Sequence, residues 1–392
     1  MLKAYTYRIY PTEEQKVFFA KTFGDCRLVW NLMLAEKQEA FKNGEIIPIP
    51  SPAKYKNQYP FLREVDSRAL GDMYLRLAKA YNNHFKNKQH FGLPQFKKKK
   101  ESKQAYTTYE DIKVKDNLLK LPKLKSWVKI KLHRPFSGTI KSTTITKTSS
   151  GKYYASIAVE TDEVRNKIVE PTSKACGIDL GLTTFATITN DSGSQKVDHP
   201  HYLKKAEKKL IRLHKQLSKK KLGSNNREKA RLKLAKYYEY VSNMRKDFLH
   251  KLSKTVIDEN QVITVEDLDV KSMLQTRYLA KSISDSGWSM FIDYLEYKAK
   301  WYGRKFIKVD RYFPSTQLCS NCGYINKALT LSDREWTCPI CGTHHDRDIT
   351  ASVNLYNVGL AQSDLKPVEI GSVDDRKMKV LPKKQPIIEA GN

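Results

Sequence analysis

Residues 2–9, LKAYTYRI, alternate apolar and polar side chains at the period of a half-buried strand, and the run stops at Pro11. Thr12 followed by Gln15 makes a capping box that opens a helix. From there to about residue 90 apolar positions recur at three- and four-residue spacing, as in CRLVWNLMLAEKQEAF and LGDMYLRLAKAYNNHF, which predicts a helical block. Gly92 and Pro94 break that pattern in GLPQFKKKK, whose lysine run reads equally as a solvated linker or as a phosphate-contacting edge. Between 105 and 165 the period changes to two, with Ser150-Gly151 as a hairpin turn. The first strand (1–10) and the later strands (105–165) are expected to close into one small β-barrel, interrupted by the helices of 11–104.

VRNKIVEPTSK reads as a linker, and ACGIDLGLTTFATITN then opens a second domain whose first part spans 172–315. A long helical stretch near 202–252 carries a large excess of Lys and Arg, with Leu210, Leu213 and Leu217 as a narrow apolar stripe. QVITVEDLDV is a short buried strand ending in acids, and SGWSMFIDYLEYKAKWYGRKFIKVD is an amphipathic helix, a stop at Gly303 and another strand. A cysteine-bearing insertion at 316–345 and a last short segment at 346–357 complete this domain. The polar, Pro-containing 358–392 reads as a poorly ordered tail. The fold class expected is α+β and multidomain.

Composition narrows the partner. Lys and Arg number 71 against 42 acids, a net charge of +29, with an ordinary 40% of hydrophobic residues. That excess predicts a polyanion, since each phosphate contact gains from counterion release. No lipidation signal, signal-peptide core or apolar run of about 18 residues is present, which points away from membranes. A cytoplasmic, nucleoid-associated prokaryotic protein is expected.

Cys319, Cys322, Cys338 and Cys341 are spaced C-x2-C-x15-C-x2-C, paired knuckles for a tetrahedral Zn(II) thiolate site. Cys26 and Cys176 fall in helical and strand patterns and read as buried, inert thiols. His344 and His345 read as surface neighbours, because four thiolates already fill the tetrahedron. Three acids stand apart from the rest. Asp179 lies between glycines on an apolar strand, Glu266 ends a second strand, and Asp348 opens a helix-like run. A carboxylate on an apolar strand is costly unless it is paired or binds a cation. Converging, the three could hold two Mg(II) or Mn(II) ions for phosphodiester hydrolysis. Asp267, Asp269 and Asp346 are decoys that a loop or a helix cap explains equally well.

GIDLG, VEDL, SISDSGW followed by YKAKWYG, PSTQLCSNCG and WTCPICGTHHDRDITASVNL, in this order, resemble the TnpB (OrfB) proteins of insertion sequences. YRIYPTEEQ and GLPQFKKKK extend the likeness from residue 5 to about 355. The resemblance implies a transposon-encoded RNA-guided DNA endonuclease related to the type V CRISPR effectors. It implies a RuvC-like RNase H fold with catalytic Asp179, Glu266 and Asp348, an inserted zinc ribbon, a helical recognition lobe and a wedge barrel. The implied partners are a noncoding guide RNA and double-stranded target DNA, read beside a short flanking motif by a monomeric ribonucleoprotein. Two alternatives remain open: an RNA-guided repressor with little cleavage, and a transposase acting on the element's own ends. Thr350 and Ser352 depart from the family pattern, which has Asn at the first position and alanines after it.

Overall fold

The computed structural model describes residues 2–99, 103–161, 174–330 and 332–363. All of the expected linker but Lys174, and the tail beyond 363, lie outside the described residues. The chain divides into two compact units, Met1–Val164 and Arg165–Asn392.

The first unit runs β1 (Leu2–Tyr10), α1 (Glu13–Lys42), α2 (Tyr55–Gln58), α3 (Ser67–Lys86), β2 (Gln104–Thr108), β3 (Lys113–Lys115), β4 (Leu118–Lys120), β5 (Val128–Lys131), β6 (Thr139–Lys147) and β7 (Tyr153–Glu160). Its strands form one antiparallel sheet in the order β2-β6-β7-β1-β5-β4-β3. The first strand therefore joins the later ones at the middle of the sheet, with the helices inserted between. The expected closed barrel is not formed. Among the described residues β2 pairs only with β6 and β3 only with β4, so the two edges stay unjoined. Three-residue β3 and β4 offer too few ladder groups to close a staggered barrel, and α1 and α3 pack against β2 instead.

The capping box opens α1 as its sequence predicts. Thr12 Oγ1 accepts from the Gln15 N–H and Gln15 Oε1 accepts from the Thr12 N–H. Gln15 Nε2 also donates to Ser126 Oγ and the Trp127 carbonyl, which fastens the helix start to the chain entering β5. Phe19, Val29, Met33, Leu34, Leu70 and Leu77 bury one side of α1 and α3 against Tyr7, Ile145 and Ile157. The first lysine of the run is not simply solvated. The Lys97 N–H donates to Asn31 Oδ1, and its ammonium sits 3.7 Å from the Trp30 ring centroid, where burial lowers its pKa to about 8.

The second unit runs β8 (Ala175–Leu180), β9 (Thr184–Asn190), β10 (Gly193–Asp198), α4 (Tyr202–Ser218), α5 (Asn225–Glu259), β11 (Val262–Glu266), α6 (Val270–Met273), α7 (Ala280–Ser286), α8 (Trp288–Tyr302), β12 (Lys305–Val309), β13 (Glu335–Thr337), β14 (His344–Asp346) and α9 (Arg347–Ala361). Its main sheet is ordered β10-β9-β8-β11-β12. An antiparallel meander of β8, β9 and β10 is continued by two parallel strands. Alternation along the central strands divides their side chains between two cores. Cys176, Ile178, Ile263 and Val265 pack with Leu249 of α5 and Phe291 and Leu295 of α8. Ala175 and Val262 pack with Leu355, Tyr356 and Leu360 of α9. Helix α9 runs four residues past the predicted boundary at 357, because Gly359 and Leu360 are buried against the sheet.

Candidate metal centres of the second unit

Alternation also decides where the strand acids point. Ala175 and Gly177 face α9, so Asp179 lies on that same face of β8. On β11, Val262 and Thr264 face α9, and Glu266 follows at the same period. The two strands are parallel with Ile178 opposite Val265, which makes Asp179 and Glu266 the next neighbours at the strand ends.

Two close approaches bring α9 onto that face. A Cβ at Gly177 would stand 2.2 Å from the Ser352 carbonyl oxygen and 2.2 Å from the Tyr356 nitrogen. A Cβ at Gly359 would stand 2.2 Å from Thr264 Oγ1. Only glycine permits either contact. Ser352 Oγ is 2.6 Å from Thr189 Oγ1, which adds a polar lock between α9 and β9. Asp348 lies one turn ahead of Ser352, at the start of the helix that crosses Asp179's strand.

The electrostatics reflect this gathering. Burial raises the Asp179 carboxyl to about 7, with further upward pushes from Asp348 and then Glu266 that the attraction of Arg347 does not offset. Burial, with Asp267 beside it, also raises Glu266. The decoy acids are occupied otherwise. Asp346 caps α9, accepting from the Ile349 N–H at 3.0 Å, and pairs with Lys196 at 2.6 Å. Asp267 and Asp269 both pair with Arg311, at 3.0 and 3.3 Å, and Asp269 caps α6.

The four cysteines meet more tightly. Their sulfurs all lie within 4.8 Å of one another, and among the described residues no other group of three or more His, Cys, Asp or Glu, the three acids included, gathers as a metal-holding cluster. Cys319 and Cys341 sulfurs are 3.6 Å apart, Cys322 and Cys338 3.5 Å. Each knuckle turns on a glycine with positive φ, Gly323 and Gly342. Four thiols converging with buried Cys319 and Cys338 at the base are a donor set that fits Zn(II).

His345 is not the surface residue expected. It is 4% exposed, lies against Trp336 with the rings tilted by 32°, and places Nε2 3.1 Å from Cys319 Sγ and Nδ1 3.2 Å from Thr350 Oγ1. β14 explains the error: His344 and His345 point to opposite faces of a short hairpin, and only His344 is solvated. Asn354 was also missed. From α9 its Nδ2 donates to the carbonyls of Ser315 and Leu318, holding the chain that enters the first knuckle. Both departures from the family pattern are engaged, Thr350 with His345 and Ser352 with Thr189.

Residues 156–277 match the family described as "Probable transposase" (OrfB_IS605), 288–355 the "Cas12f1-like, TNB domain" and 1–45 its "Helix-turn-helix domain". The chain is 35% identical over 371 residues to the "Putative RNA-guided DNA endonuclease" of Streptomyces pristinaespiralis, covering 92% of this chain and 90% of that one. The chain belongs to the TnpB (OrfB) family. An Escherichia coli K12 family member, InsQ, named a putative RNA-guided DNA endonuclease, is 29% identical over 92% of this chain and 93% of its own. The fold resembles that of Cas12f1 in a cryo-EM complex with sgRNA and target DNA. That match has a TM-score of 0.55 at 14% identity and covers 91% of this chain and 99% of the other. The TNB match spans α8, β12, the cysteine insertion and the first turns of α9, so this TnpB protein carries the cysteine site and Asp348 within one family segment. In residues 1–45 the geometry is one strand and one long helix rather than two helices around a turn. No helix among the described residues is long and apolar enough to cross a membrane.

Proposed function

We propose that this protein is an RNA-guided DNA endonuclease whose chemistry resides at Asp179, Glu266 and Asp348. The observation that carries this reading is the crossing of α9 over the face of β8 and β11, which crowds Asp179 with two further carboxylates. Like charges gathered on a half-buried sheet end are unfavourable alone and become favourable around a cation. The hard oxygen donors fit Mg(II) or Mn(II). When bound there, such ions supply an activated water and stabilise the departing oxygen of a phosphodiester. Asp179 and Glu266 supply anchoring carboxylates from rigid strands, and Asp348 supplies the third from a helix start. Arg347 supplies a positive charge that partly offsets the repulsion at Asp179. The sheet order, an antiparallel meander extended by two parallel strands, supports a RuvC-like RNase H fold for this unit. The four cysteines form a zinc ribbon inserted ahead of the last acid. In the first unit the helices act as a recognition lobe, and the open sheet takes the wedge role of gripping guide RNA. Pairing between guide and target strand selects the sequence, while the protein's net charge of +29 supplies backbone contacts.

The test is cleavage of guide-matched DNA by the ribonucleoprotein in Mg(II), alongside sequencing of the RNA that copurifies. Asp179→Ala should lower the rate by roughly a thousandfold, the loss of several kcal/mol of charge stabilisation, with RNA binding retained. Undiminished cleavage by that variant would remove the site assignment. A copurifying RNA population without a common sequence would remove guidance.

A further inference from the structure

We infer that His345 is a positioning residue that ties the four-cysteine knuckles to the helix turn carrying Asp348. The inference rests on the zinc and carboxylate assignments proposed above and adds the link between them. Its geometry is a relay of two hydrogen bonds, with Nε2 3.1 Å from Cys319 Sγ and Nδ1 3.2 Å from Thr350 Oγ1. A metal-bound thiolate has no proton and can only accept, so the imidazole must carry its hydrogen on Nε2. In the neutral ring Nδ1 is then bare, and the Thr350 hydroxyl donates into it.

Three features make this a built arrangement. His345 and Thr350 are both buried, at 4% and 3% exposure, so water does not compete for either bond. The ring is held on Trp336, with centroids 4.4 Å apart, and Trp336 is its register partner across the β13–β14 hairpin. Thr350 lies in the first turn of α9, two residues after Asp348, where that helix leaves the hairpin. A partner that orients a ligand from outside the coordination sphere also fixes whatever it holds on its other side. Here the second bond reaches the segment that presents a carboxylate to Asp179 and Glu266. Thr350 thereby acquires a role: its hydroxyl can donate to an imidazole whose tautomer the thiolate has set.

Hydrogen exchange of the full-length zinc-loaded protein tests the relay without relying on nuclease activity. His345→Phe keeps a ring on Trp336 and removes both bonds. His345→Gln restores a donor near Cys319. Thr350→Val removes only the second bond. Amides of residues 347–351 should exchange about tenfold faster in the Phe and Val variants, in line with the loss of an outer-shell partner. Peptides of β8 and β9 should be unchanged. Zinc release to a chelator should quicken in the Phe variant, recover in the Gln variant and stay at the wild-type rate in the Val variant. With target DNA, kcat should fall while KM holds. Unchanged exchange at 347–351, or a rise shared by β8 and β9, overturns the inference. Thr350→Val decides the same point should the Phe variant fail to fold. A wild-type protein that never cleaves DNA overturns the endonuclease reading instead, and the exchange result still decides the relay.

Discussion

Asp72 on α3 and Asp179 on β8 are both carboxylates drawn in among helices and strands, yet their surroundings differ in kind. Asp72 is buried and satisfied: Arg76 Nε donates at 2.5 Å, Tyr109 Oη at 2.6 Å, and Arg76 continues to Thr107 Oγ1 at 2.7 Å. Its charge holds a structural network, and burial with that bond pushes the Tyr109 phenol up to about 12. Asp179 takes a backbone N–H bond at Leu180 and faces two more carboxylates, so its own proton is held to about 7. Burial costs both, but only Asp72 is repaid from within the chain. The contrast singles out Asp179 as the candidate for function, because its neighbours repel rather than complete it.

The largest expected effect comes from the contact that creates the crowding. Gly177→Ala would drive a methyl into the Ser352 and Tyr356 backbone, destabilising the protein by about 3 kcal/mol as overpacked contacts do, with α9 displaced. Chemical denaturation should read this; a wild-type midpoint would mean that α9 does not rest on β8. Next is Asp72→Ala, which leaves Arg76 and Tyr109 without their acceptor and should cost about 2 kcal/mol by the same measurement.

Asp179→Asn should act with the opposite sign in zinc-loaded protein without added Mg(II). The Asp179 carboxyl is raised in the fold to about 7, from an ordinary value near 4. The stability that goes with its protonated form is complete below the unfolded value and lost as pH rises through the folded one. The variant's gain in Tm should therefore grow from pH 4 to about 7, then level off. A Tm gain independent of pH would break the comparison. Smallest is Arg311→Gln, which releases the exposed Asp267 and Asp269 pairs and should leave the denaturation midpoint close to the wild-type value. A large loss there would show that the decoy acids carry more of the site than their exposure indicates.

Local signals were legible where the chemistry is local. Thr12 and Gln15 announced a helix start, the C-x2-C pairs announced a four-thiol cluster, and alternation located Asp179 and Glu266 on strands. The barrel was overread, since period two specifies strands but not whether a sheet's edges meet. His345 was misread because a histidine beside a complete set of ligands carries no periodic signal in a three-residue strand.

The sequence by itself determined the strands, the helix starts, the thiol set, the basic charge and the family likeness, because spacing and side-chain chemistry act over a few residues. Only the tertiary structure decided which acids share a face, how closely α9 lies on Gly177, and what Thr350 and His345 hold. Those outcomes depend on contacts between separate elements, some of them far apart in the chain, as from Thr189 to Ser352, where no local preference reaches.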